Sequence, residues 1–143
     1  EEKAIVFSAS GHPDLWKGFM RGGKYKNVVM DLHLYHYRDE SACDITSPKG
    51  ISQAIARNRK LLREATSTGF PILVGEWSAA AVLSSASMTP EGRAAYERVF
   101  VSSQLASFDT AWGWYFQTWK TEKRIPAWDA RVALAPLERA MID

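Results

Sequence analysis

A single acid closes an apolar run in Ile72-Leu73-Val74-Gly75-Glu76-Trp77. A carboxylate at the C-terminal rim of a sheet stands where α/β enzymes place reactive groups, so Glu76 is the first candidate for chemistry. The same acid would equally suit a strand end that pairs with a neighbouring Lys or Arg. A second signal lies in Asn27-Val28-Val29-Met30-Asp31-Leu32-His33-Leu34-Tyr35-His36. His33 and Tyr35 stand two apart on an extended segment and therefore share a face. A phenol and an imidazole on one face can hydrogen-bond a carboxylate from the adjacent strand, holding it ionised and aimed. Backbone groups could satisfy the same pair in an ordinary core.

A third segment, Trp112-Gly113-Trp114-Tyr115-Phe116-Gln117-Thr118-Trp119-Lys120-Thr121-Glu122, is dense in aromatic rings. Alternation sends Trp112, Trp114, Phe116 and Thr118 one way and Gly113, Tyr115, Gln117 and Trp119 the other. The pattern does not say which set lines a site. Aromatic faces suit the C–H surfaces of sugars, and Trp is also common core material. Glu122, Asp39 and Glu40 follow strand-like segments and are secondary candidates for an acid. Ser8, Ser10, His12 and Asp14 cluster after the first strand, but no Gly-x-Ser-x-Gly elbow accompanies them. Cys43 is the single cysteine, which excludes an internal disulfide and a cysteine-rich zinc site. No metal-ligand spacing occurs; neither a metal nor a cofactor is expected.

Four segments read as strands that would carry these groups: Ala4 to Ser8, Asn27 to Tyr35, Pro71 to Glu76 and Ala111 to Trp119. Continuous apolar runs suggest burial on both faces, as parallel sheets require. Helical character lies between them. Asp14 to Arg21 has room for one or two turns before Gly22-Gly23. Ser47-Pro48 is an N-cap followed by a proline suited to the first helical position. Ile51, Ala54, Ile55, Asn58, Leu61, Leu62 and Ala65 then form one stripe, leaving Arg57, Arg59, Lys60 and Arg63 to water. Gly69 and Pro71 stop that helix. Thr89-Pro90 starts another to about Phe108, with Ala95, Val99, Phe100 and Leu105 as its apolar positions. Val132 to Met141 reads as a final short helix. The alternation predicts an α/β fold with parallel strands and outer helices. Four βα units are half of an eight-stranded barrel, and periodicity alone leaves a doubly wound open sheet equally available.

The 143 residues suffice for one domain, 1–143. With 46% hydrophobic and 24% charged residues, the composition is that of an ordinary globular chain. No apolar run approaches the roughly 20 residues of a membrane span. The formal charge is only +2. Basic residues between Lys49 and Arg63 lie on a helix whose other face is apolar, which reads as a solvated face and not a nucleic-acid surface. Glu1-Glu2-Lys3-Ala4 is acidic and runs into a strand, so it does not read as a signal peptide.

Three stretches together resemble glycoside hydrolase family 5, and most nearly its exo-β-1,3-glucanase branch. They are Val29-Met30-Asp31-Leu32-His33-Leu34-Tyr35, Val74-Gly75-Glu76-Trp77-Ser78-Ala79-Ala80, and Gly113 through Glu122. Their order is similar to strands six, seven and eight of that family's (β/α)8 TIM-type barrel, with Ala4 to Ser10 as strand five. The resemblance implies a C-terminal half barrel and a β-glucan hydrolase, with β-1,3 bonds favoured. It also implies that Glu76 is the nucleophile of a retaining double displacement, positioned with substrate by His33 and Tyr35. A retaining enzyme pairs such a carboxylate with a protonated carboxyl about 5 Å away. Trp77, Trp114, Gln117 and Trp119 are expected at the sugar, and Glu122 is a possible acid. A secreted setting is what the resemblance suggests.

Two departures stand out. Gln117 occupies the place where the family's eighth strand usually carries a Trp under the sugar; a Gln can bond a hydroxyl but cannot stack. The family's acid is a Glu preceded by Asn, yet the two asparagines here precede Val28 and Arg59. A half barrel with open edges invites association. The expected partners are an oligo- or polysaccharide and a second copy of the chain, closing an eight-stranded barrel as a homodimer. Binding without cleavage, by Trp114, Trp119 and Trp128, and a fragment with no activity of its own are the alternative readings.

Overall fold

The computed structural model describes residues 3–38, 43–83, 88–135 and 137. Four strands form one sheet in the order of the chain: β1 (Ile5–Ser8), β2 (Val28–His36), β3 (Ile72–Ala81) and β4 (Gly113–Phe116), each parallel to its neighbour. Two long helices, α1 (Pro48–Ser67) and α2 (Pro90–Ser107), follow β2 and β3, and a short α3 (Ala130–Ala133) follows β4. The fold is α/β, and it is consistent with half of a TIM barrel. Among the described residues no helix is long and apolar enough to cross a membrane.

The two long helices start as their sequences predict. Ser47 Oγ accepts the Gly50 N–H at 3.1 Å, Thr89 Oγ1 accepts the Gly92 N–H at 3.1 Å, and each helix opens on a proline. Ile51, Ala54, Ile55, Asn58, Leu62 and Ala65 form the buried stripe of α1. The segment after β1 differs: it makes one 3-10 turn, Pro13–Trp16, because Gly18 at φ 89° turns the chain out of a helical path. Trp16 and Phe19 then fold back onto Phe7, each ring centroid about 5 Å from it.

The buried face of α2 is Phe100, Val101, Gln104 and Ser107, whereas Val99 is half exposed and Ala95 faces water. Polar pairing explains why the apolar pattern misplaced this face. Gln104 donates its amide to the Ser78 carbonyl at 3.1 Å, and Asn58 donates to Ser107 Oγ at 3.4 Å. Buried amides with partners can occupy a helix interface that hydropathy assigns to hydrocarbon.

Among the described residues, helices cover one side of the sheet. Met30, Leu32 and Leu34 of β2 and Val74 and Trp77 of β3 form the core on that side with Leu62, Ala65, Val101 and Phe108. The intervening residues Asp31, His33 and Tyr35 remain partly or fully exposed. This corrects the expectation of strands buried on both faces, and it excludes the doubly wound alternative for the described residues.

After β4 the chain makes a closed loop. Thr118 and the pair Trp128 and Ala130 exchange backbone hydrogen bonds at 3.0 Å. Asp129, fully buried, accepts from the Thr121 and Arg131 N–H groups and pairs with the Arg131 guanidinium at 2.6 Å. The Arg131 hydrogen bonds, chief among these causes, hold the Asp129 carboxyl well below the usual carboxylate range. The expected helix from Val132 to Met141 begins earlier, at Ala130, and residue 136 and residues 138–143 lie outside the described residues. Asp39 and Glu40 lie outside them as well.

A lowered folded-state pKa contributes stability above the unfolded value, about 3.9, and that contribution fades as pH falls toward the folded one. Asp129→Asn should therefore lower the thermal midpoint at pH 6 by more than at pH 3. Equal losses at both pH values would show that the ionised pair does not hold the loop.

Candidate active site

From Met30 to His36, β2 alternates between buried and more exposed residues, so Asp31, His33 and Tyr35 line the side of the sheet away from the helices. β3 does not alternate. Asp31 pairs with Leu73 and Leu32 with Val74, but His33 then pairs with Glu76, so Gly75 is an extra residue in a β-bulge. Strict period two would turn Glu76 toward the helices with Val74. The bulge turns Glu76 to the open side and sends Trp77 into the core. β3 also runs on to Ala81, so Glu76 does not end its strand as expected; the bulge re-aims it within a longer one.

A side chain at Gly75 would have to displace the Asp31 carboxylate. A Cβ on Gly75 would lie 2.0 Å from Asp31 Oδ1, the atom that accepts the Gly75 N–H at 2.9 Å. Asp31 thus takes the N–H of the residue that the bulge adds. Its other oxygen, Oδ2, lies 2.9 Å from His33 Nε2.

Glu76 is gripped from β2. Tyr35 donates its hydroxyl to Glu76 Oε2 at 2.7 Å, and His33 Nδ1 stands 3.6 Å from the same oxygen. Burial, then the hydrogen bond to Glu76 and its charge, push the Tyr35 phenol well above its ordinary range. The phenol therefore keeps its proton and its hydrogen bond to Glu76. The side chains of Glu76 and His33 remain 40% and 39% exposed, open enough for a ligand to reach the carboxylate.

Trp128, at the end of the closed loop, packs on Tyr35 and Tyr37 with ring centroids 5.8 and 5.0 Å away. The buried Asp129 next to it anchors that placement.

The other sequence candidates distribute differently. Trp77 is fully buried among Phe108, Trp114 and Phe116, at 4.9 to 5.5 Å between ring centroids, so it is core and not a sugar contact. Trp114 is level with Val74 and touches Trp77, which puts it on the helix side of the sheet, opposite Glu76. Tyr115 points the other way and is exposed. Gln117 lies just past β4, which ends at Phe116, and donates its N–H to the Trp77 carbonyl at 2.8 Å. Trp119 is 69% exposed in the closed loop, where Glu122 also lies exposed.

Asp31 is the residue that sequence reasoning passed over. Its signal was present, since it shares the face of His33 and Tyr35 at two-residue spacing. Among the described residues no three His, Cys, Asp or Glu side chains are grouped so as to hold a metal ion.

No protein-family model matches the chain. It is 30% identical to a probable glucan 1,3-beta-glucosidase A of Emericella nidulans over 84% of its own length. Proteins of the same name from Aspergillus niger and Aspergillus fumigatus are 26% identical over 84% and 91% of it. The matches cover 36%, 35% and 38% of those three proteins, so the chain spans about a third of the curated relatives' length. They support a glucanase relationship for this α/β chain.

Gly75→Ala should cost about 1–3 kcal/mol, the range for forcing a methyl group into filled space. Thermal unfolding would read it as a midpoint several degrees lower. An unchanged midpoint would mean that Asp31 withdraws freely and that the bulge does not depend on it.

Proposed function

We propose that this chain is the C-terminal, nucleophile-bearing half of a family 5 β-glucan hydrolase, cleaving β-1,3-glucosidic bonds with retention. The observation that carries the reading is the Glu76 carboxylate on the open side of a parallel sheet, bonded at 2.7 Å by Tyr35 and flanked at 3.6 Å by His33. Relatives named glucan 1,3-beta-glucosidases support the substrate class.

Glu76 attacks the anomeric carbon and the glycosidic bond breaks, leaving a covalent glycosyl-enzyme that water then hydrolyses. The Tyr35 hydroxyl holds Oε2, which leaves Oε1 as the attacking atom. His33, exposed beside it, is placed to meet a sugar hydroxyl. Trp128, Gln117 and Trp119 contribute the sugar-facing surface from the end of β4 and its loop.

The leaving group needs a proton, and the Asn-Glu pair that supplies it in this family is missing here. A second half barrel provides that side. Parallel sheets bury both faces, whereas this one leaves a face uncovered and exposes Val6 on β1 and Tyr115 on β4, the two edge strands. A second copy of the chain closes the eight-stranded barrel. In that homodimer a Glu122 or the other copy's Glu76 stands across the cleft as acid.

The purified chain should turn over an aryl β-glucoside, whose leaving group needs little protonation, faster than laminarin. Without an acid in place across the cleft the latter would lose on the order of 10²–10⁴ in rate. Glu76→Gln should abolish both activities. Equal turnover by the variant would remove Glu76 as nucleophile, and laminarin binding without any hydrolysis would favour a binding module instead. Light scattering should give twice the 16.0 kDa chain mass. A monomer at micromolar concentration would rule out the second copy as the closing half.

A further inference from the structure

Between the bulge and the imidazole lies one side chain that contacts both. Asp31 is largely buried, with 16% of its side chain exposed, and its two oxygens take different partners. Oδ1 accepts the Gly75 N–H at 2.9 Å and Oδ2 meets His33 Nε2 at 2.9 Å. An ionised carboxylate only accepts hydrogen bonds, so the proton of that second contact belongs to the imidazole. Nε2 is then the protonated nitrogen of His33, and Nδ1 is the one left facing Glu76 at 3.6 Å. In a neutral histidine the partner of one nitrogen decides the role of the other.

We propose that Asp31 is a positioning residue of this site, fixing through one oxygen the Gly75 bulge that aims Glu76 and through the other the tautomer of His33. The first role acts on the backbone. Gly75 stands outside the regular pairing of β2 with β3, and Asp31 gives its N–H an acceptor at that break in register. The second role acts on the proton. With Nε2–H committed to Asp31, His33 presents Nδ1 as an acceptor for a donor hydroxyl on a bound ligand, while the Glu76 carboxylate 3.6 Å away, itself an acceptor, makes no hydrogen bond to it. The consequence for hydrolysis rests on Glu76 being the nucleophile; the arrangement of Asp31, Gly75 and His33 does not.

Side-chain ¹⁵N–¹H correlation spectra of the full chain test this directly, since it has three histidines and His33→Gln identifies the relevant signals by their loss. At about pH 8.5, above the ordinary imidazole titration, wild-type His33 should carry its proton on Nε2. In Asp31→Asn the amide oxygen keeps the Gly75 N–H and the NH₂ faces the ring. Nε2 becomes an acceptor, and the two ring-nitrogen shifts should exchange places. The Nδ1–H tautomer in the wild-type protein would overturn the proposal without any variant, as would an unchanged His33 tautomer in folded Asp31→Asn. The readout is independent of turnover: a tautomer switch beside an inert Glu76 would sink the hydrolase reading alone, and an active Glu76 with no switch would sink this one alone.

Discussion

A strand of period two cannot send Val74 and Trp77 to the helices and Glu76 to the opposite side without an added residue. Gly75 is that residue, and the carboxylate of Asp31 receives the N–H at the break in register. The consequences spread outward from this one contact. Trp77 becomes the centre of an aromatic core with Phe108, Trp114 and Phe116, while Glu76 comes level with His33. A side chain at position 75 would have to displace the Asp31 carboxylate, because the acceptor oxygen occupies its place. Packing and chemistry therefore hang on the same hydrogen bond.

The sheet is two-sided in character because its strands serve two purposes. One side is hydrocarbon, sealed by α1 and α2 and pinned by a small polar network of Ser78, Gln104, Ser107 and Asn58. The other side carries Asp31, His33, Tyr35 and Glu76, all within reach of solvent. A charge pair between the buried Asp129 and the exposed Arg131 closes the loop beyond β4, where Trp128 packs against Tyr35. A charge removed from water is stable when its hydrogen bonds are complete, and Asp129 meets that condition with backbone and guanidinium donors. The loop and the strand thus bring an aromatic ring beside the phenol that holds Glu76.

Much of the local structure was legible in the chain itself. Both long helices begin at Ser-Pro or Thr-Pro signals, and the α1 stripe falls where three-to-four spacing puts it. The side chains of β2 sort by simple alternation. These features depend on neighbours within a few residues. The face of α2 was not legible, since Gln104 and Ser107 are buried by partners on β3 and α1. Nor were the aromatic assignments: Trp77 and Trp114 carry the composition of a sugar platform and lie instead on the helix side.

Sequence by itself therefore determined the four parallel strands, the two long helices with their caps and the shared face of His33 and Tyr35. Local periodicity and capping chemistry suffice for those. Tertiary structure alone decided that Glu76 joins that face and that Asp31 stands behind it. The reason is physical: a bulge is a change of register between two strands, stabilised by a side chain 44 residues away from the amide it accepts, and no local pattern encodes such a pairing.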